Sequence, residues 1–188
     1  MLKNVFYHLM LLLLLLASAV SNVVGQSNEA ELERVSQRVV SFVGKKKPDW
    51  KHEVVTPMYP AKLVLIHDWS GVITLIDRET GENWPVQLRM RVVITQYESV
   101  EHAHATIQQP LQRGMLRDAG PKPVLLTIGD EGYKWGFRYN SVVFRRGRYV
   151  FNVNGTASPD IGEDDKRGLA GKMAEDLAGD IAGELTKI

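Results

Sequence analysis

From Val86 to Thr95 the chain alternates with one exception: Val86, Leu88, Met90, Val92 and Ile94 are apolar, and of the five residues at Gln87, Arg89, Arg91, Val93 and Thr95, all but Val93 are polar. Successive side chains of a strand point to opposite faces, so this pattern demands a strand with one dry face and one mostly wetted face. Strands of that kind belong to antiparallel sheets, because parallel sheets are normally covered on both sides. Whatever else the chain does, it must supply cover for the dry face.

The flanking segments read as partners for that strand. Lys62–His67 and Val72–Asp77 are short runs rich in Val, Ile and Leu, divided by Asp68-Trp69-Ser70-Gly71, which has the composition of a turn. Another turn at 78–83 leads into the alternating strand, giving a three-stranded meander. Further on, Val124–Ile128 is a short apolar strand, Gly129-Asp130-Glu131-Gly132 a turn, and Tyr133–Tyr139 is followed by a β-hairpin that spans Ser141–Asn154 and closes near Gly147.

Three helices are expected to cover the sheet. In Ser27–Gly44, Leu32, Val35, Val39, Phe42 and Val43 recur at helical spacing, and Lys45-Lys46-Lys47 complements the negative end of the helix dipole. Ser99 is placed to cap a second helix with Val100, Ala103, Ile107 and Leu111 on one stripe; Pro110 predicts an end near Gln108 or a kink there. The acids Glu163-Asp164-Asp165 open a third, with Leu169, Met173, Leu177, Ile181, Leu185 and Ile188 in line. Its glycines, Gly171, Gly179 and Gly183, suggest close approach to a sheet. The expected fold is α+β: an antiparallel sheet of meander plus hairpin, covered by helices, with the C-terminal amphipathic helix packed on the sheet.

The first residues are set apart from this domain. Lys3 precedes Leu9–Ala19, an apolar run too short for a comfortable membrane span, and small residues follow. This is the layout of a secretory signal peptide over 1–25, with cleavage after Gly25, Ala19 or Ser21; an uncleaved anchor is the alternative. The remaining 26–188 read as a single domain in a secreted or periplasmic protein that meets the membrane only through the leader before cleavage. The full chain has 23 Lys and Arg against 22 Asp and Glu, and the leader takes one Lys with it, leaving the domain neutral. Bulk nucleic-acid binding is not expected of a neutral domain. The chain contains no Cys, which rules out disulfides and thiolate-ligated metals.

Catalytic patterns are thin. His102 and His104 are two apart on an expected helix and diverge, and no H-E-x-x-H, P-loop or G-x-S-x-G pattern occurs. His67, Asp68, Asp130 and Glu131 are the residues an exported hydrolase would use, although Asp68 and Asp130 are explained equally well as turn-formers. No cofactor, metal site or catalytic residue is assigned. Asn154-Gly155-Thr156 is a glycosylation sequon or, failing that, turn chemistry.

The hairpin gives the sharper argument. If Arg146-Gly147 is the loop, Arg145 faces Arg148; if Gly147-Arg148 is the loop, Arg146 faces Tyr149. Both registers put Val142, Phe144, Tyr149, Phe151 and Val153 on one face, with Val143, Arg145, Val150 and Asn152 on the other. What remains at the tip is Arg145, Arg146 and Arg148, the candidate contacts for an anionic ligand or a protein partner. The run Gly129-Asp130-Glu131-Gly132-Tyr133, then Ser141 to Arg148, then Val150 and a terminal amphipathic helix, resembles uncharacterised exported bacterial proteins. In these a G-D-E-A turn leads to an F-R-R-G-N hairpin; Gly132 stands here for the usual Ala and Arg148 for the usual Asn. The resemblance covers roughly the last 60 residues and implies a fold and a place outside the cytoplasm, with no activity. The function expected is an exported, non-catalytic domain that binds a partner or ligand. The alternatives are attachment to an anionic surface through Lys45–Lys47 and Arg145–Arg148, and an exported hydrolase.

Overall fold

A computed structural model of the chain describes residues 28–57, 63–76, 80–116, 121–136, 140–157 and 163–187. The leader and Ile188 lie outside them. In order, the elements are α1 (28–46), β1 (Lys51–Val55), β2 (Val64–Ile76), β3 (Asn83–Gln96), α2 (Val100–Met115), β4 (Val124–Leu126), β5 (Glu131–Trp135), β6 (Ser141–Arg146), β7 (Tyr149–Ala157) and α3 (Glu163–Glu184), with a 3-10 turn at Leu185–Lys187. The strands form one seven-stranded sheet in the order β1-β2-β3-β7-β6-β5-β4, and every neighbouring pair is antiparallel. The fold is α+β, with helices on both sides of the sheet. Among the described residues no helix is long and apolar enough to cross a membrane.

The alternation in β3 decides which side is dry. Val86, Leu88, Met90, Val92 and Ile94 are all buried. In register with them lie Phe151 and Val153 of β7 and, beyond, Val142 and Phe144 of β6. The Phe144 and Phe151 rings stack at 4.7 Å across the β6–β7 pair. Helices α1 and α3 close this face with Leu32, Val35, Val39 and Val43 from one and Ala174, Leu177, Ala178, Ile181 and Ala182 from the other. The opposite face is covered on the β5–β6–β7 side, where Ala103, Ile107 and Leu111 of α2 meet Tyr133, Val143 and Val150. On the β1–β2–β3 side of that face no described helix lies over the sheet.

Several expectations are corrected here. Asp68-Trp69-Ser70-Gly71 is no turn: β2 runs straight through it, pairing with β3 from Val64 to Ile76. The first strand of the meander is instead β1, Lys51–Val55, a short edge strand with weak sequence patterning. Helix α2 continues past Pro110 to Met115, because Pro110 is exposed and Leu111 behind it still reaches the core. Its cap is as expected, with the Ser99 hydroxyl accepting from the His102 N–H at 3.1 Å. Helix α1 runs beyond Gly44 to 46. The close approach of α3 to the sheet uses Ala170 against Gly155 of β7, whereas Gly179 and Gly183 have open space beside them.

Candidate functional site

In the hairpin the chain takes the second register, Arg146 opposite Tyr149, with Gly147 at φ +56° and Arg145 opposite Val150. Arg145 and Arg148 are therefore not cross-strand partners. Each tip arginine is met by an acid of the same chain. Arg145 pairs with Glu131 and, at 3.1 Å, with Asp130; Arg146 pairs with Asp130 at 2.9 Å; Arg148 pairs with Glu31 of α1. Asp130 also accepts the Gly147 N–H at 2.7 Å. The expected four-residue turn is shorter, since Glu131 and Gly132 already belong to β5; Gly129-Asp130 and the F-R-R-G hairpin are thus two halves of one clasp. Gly129 makes it possible: at φ +68°, a Cβ there would lie 2.4 Å from the Arg145 carbonyl oxygen.

These arginines also finish a helix. Arg146 donates to the Ala182 carbonyl at 2.9 Å, and Arg38 donates to the Glu184 carbonyl at 2.7 Å. Helix α3 has no basic residue in its last turn, so these guanidinium groups satisfy its carbonyls and its negative dipole end from outside. Glu131 is half-buried, which opposes ionisation, but its bonds to Arg145, His104 and Gln108 prevail and hold its carboxyl below the usual range. Tyr149 donates to Glu31 at 2.7 Å, and burial together with that bond pushes its hydroxyl up to about 12.

The four residues considered for hydrolysis do not meet. His67 and Asp68 point to opposite faces of β2, while Glu131 lies on β5, four strands across the sheet. At the usual strand spacing that is about 19 Å. His102 and His104 diverge as the helix spacing requires, the first against Tyr97 and the second on Glu131. Asn154 sits in mid-sheet, accepting from Ser141 at 2.6 Å and donating to Asn152 at 3.1 Å. The two basic clusters mark opposite ends of α1: Arg148 meets Glu31 near its start, and Lys46 is its last residue. Fifteen helical residues separate these points by about 22 Å.

A polar chain that the sequence did not suggest runs beneath α1. The Ser36 hydroxyl lies 2.8 Å from His67 Nε2, and His67 Nδ1 lies 3.0 Å from His52 Nε2. A serine, a histidine and an orienting histidine in line have the outline of an activated nucleophile. Ser36 is 2% exposed and His67 3%, between a helix and the sheet, so a substrate has no way in. Burial, and then the neighbouring His52, hold His67 below its ordinary value of 6.5 and keep it neutral.

No protein-family model, curated protein or solved structure matches the chain.

What the fold does build is a cleft of about 610 Å³ between the end of α1, the middle of α3 and the dry face of β2–β3. Its floor is apolar and soft: Trp50, Trp69, Met90, Met173 and Leu177, with Val43 at the back. Gly71 lets Trp50 lie flat on β2, since a Cβ there would be 2.5 Å from the indole. The rim is charged, and Lys46 bridges it to Asp180 at 2.6 Å. Trp69, 1% exposed, lines this cleft, and its indole N–H has no hydrogen-bond partner among the described residues. Buried polar groups are normally paired, and one left unpaired costs roughly 1–3 kcal/mol. Trp50, Trp69 and Gly71 were hidden from the sequence by their resemblance to turn and core residues.

Proposed function

We propose that the chain is an exported, non-catalytic domain that binds a small apolar molecule in the Trp50–Trp69 cleft. The observation that carries this is a cleft of ligand size whose floor is built from Trp50, Trp69, Met90, Met173 and Leu177. Small-molecule sites are concave, mostly apolar, about 300–1,000 Å³ in volume, and use a few fixed polar groups for orientation. A ring or acyl chain would lie on the indoles and methionines, with any polar end of the molecule toward the charged rim at Lys46 and Asp180. Export rests on the leader. The non-catalytic reading rests on the dispersal of the acids and histidines and on the burial of Ser36.

The test uses 1-anilinonaphthalene-8-sulfonate as probe, followed by its own emission and by energy transfer from tryptophan. The expected result is saturable 1:1 binding that Gly179→Phe abolishes, because Gly179 lines the cleft with open space beside it and the ring would fill the site. Binding that is unsaturable, or unchanged in Gly179→Phe with the fold intact by circular dichroism, refutes the cleft. A fluorophosphonate probe is expected to leave the protein unlabelled; labelling lost in Ser36→Ala overturns the non-catalytic reading.

A further inference from the structure

The residues that flank Trp69 in β2 point the other way, onto the side of the sheet that α2 leaves uncovered. On that face Glu53, Asp68, Arg91, Asn154, Ser141 and Trp135 lie in one row across six strands, and Lys51, Ser70, Arg89 and Thr156 form the next. Asp68 is the anchor. Its carboxylate is 4% exposed and accepts a fork from Arg91, Nε at 2.8 Å and Nη2 at 2.9 Å, and a third bond from Arg89 Nη2. The bonds from Arg91 hold its carboxyl below the usual range against the effect of burial, so it stays ionised.

A pocket of about 420 Å³ opens beside this group, lined by Glu53, Asp68, Ser70, Gln87, Arg89 and Thr156. Two guanidinium groups share one carboxylate, and the exposed Lys51–Glu53 pair at 3.0 Å cancels itself, so the described side chains leave one positive charge in excess. Arg89 is 53% exposed and gives one nitrogen to Asp68; its Nε and Nη1 have no described partner. The Ser70 hydroxyl likewise has none. A buried acid that fixes two arginines beside free N–H and O–H donors is a pre-organised arrangement, in which the donors are oriented before a ligand arrives. Arginine suits such a role because its planar fork matches a carboxylate or phosphate.

We propose that this pocket is a second binding site, for a compact anionic group, a carboxylate or phosphate, held by Arg89 and Ser70 with Arg91 and Asp68 positioning Arg89. It is independent of the Trp50–Trp69 cleft, which lies through the sheet on the other face. The test is a titration of the isotopically labelled full chain with inorganic phosphate and, separately, with succinate, following the arginine Nε–H signals by nuclear magnetic resonance. Saturable shifts at Arg89 are expected, and the tighter of the two probes names the anion class. Arg89→Gln, a change at a half-exposed position, is expected to weaken binding at least about tenfold. Glu53→Gln keeps both arginines and removes an opposing charge, so it tightens binding a few-fold. Gly179→Phe leaves the titration unchanged whether or not the cleft binds its own ligand. Absence of saturable shifts with both anions, or shifts that persist in Arg89→Gln, overturns the site.

Discussion

A methyl group added to Gly155 and one added to Gly183 should move stability in opposite directions, although both touch the same helix. The Cβ of Gly155→Ala would stand 2.3 Å from the Ala170 carbonyl oxygen and 2.9 Å from its carbon. Both are backbone atoms, so no rotamer change relieves the contact. Ordinary contact begins near 3.4 Å, and α3 must therefore retreat from β7 by about 1 Å. Overpacking of this kind costs about 1–3 kcal/mol. At Gly183 a Cβ meets nothing within 4 Å. There the gain in helix propensity and the loss of unfolded-state freedom stabilise by about 0.5–1 kcal/mol. Urea unfolding followed by circular dichroism reads both. With a slope near 2 kcal/mol per molar, Gly155→Ala lowers the midpoint by about 1 M and Gly183→Ala raises it by a few tenths. If Gly155→Ala unfolds at the wild-type midpoint, α3 is not seated on β7 as described and the account of the dry face fails.

Stability should also depend on pH through His67. Its folded pKa lies below 6.5, so below that pH the unfolded chain takes up a proton that the folded chain refuses. Stability is then full above about 6.5 and falls as pH drops, by at most about 1.4 kcal/mol per pH unit for one group; a pH series of urea midpoints should show the slope, and His67→Gln should flatten it between pH 5 and 6.5, above the range where Asp68 begins to protonate. Asp130→Ala unpins Arg145, Arg146 and the Gly147 N–H together, and should cost about 1–2 kcal/mol after allowance for exposure, against almost nothing for Glu53→Ala on the rim. Pro110→Ala restores a helical N–H at an exposed position of α2 and should stabilise by about 1–3 kcal/mol, seen as a higher thermal midpoint.

Local periodicity made much of this architecture legible. The dry face of β3, the apolar stripe of α1, the Ser99 cap and the two faces of the β6–β7 hairpin all follow from spacing. The failures share a cause: residues with a strong local preference that answer to a distant partner instead. Asp68 and Gly71 have turn chemistry, yet Asp68 is held in a strand by Arg89 and Arg91, and Gly71 by the indole of Trp50. The tip arginines read as free charge because Asp130, Glu131 and Glu31 lie 14 to 117 positions away. The leucine spacing of α3 concealed that its alanines do the close packing. Both proposed sites lie on β2, within the stretch least legible from sequence.

The pairing of β3 with β7 has a consequence for how the chain reaches this state. The meander that ends at Gln96 cannot complete its dry face until residues 149–157 arrive, and the apolar stripe of α1 is not fully covered until Ala174, Leu177, Ala178, Ile181 and Ala182 of α3 join the same core. Contacts this far apart in sequence make folding slow, and they leave apolar strands waiting in the meantime. A chain delivered from its N-terminus, from a ribosome or through a pore, would therefore stay open almost to its last turn. The same order makes the C-terminal twenty residues the latch of the whole domain: their removal takes most of α3 with it, strips half the cover from the dry face and leaves α1 without its neighbour.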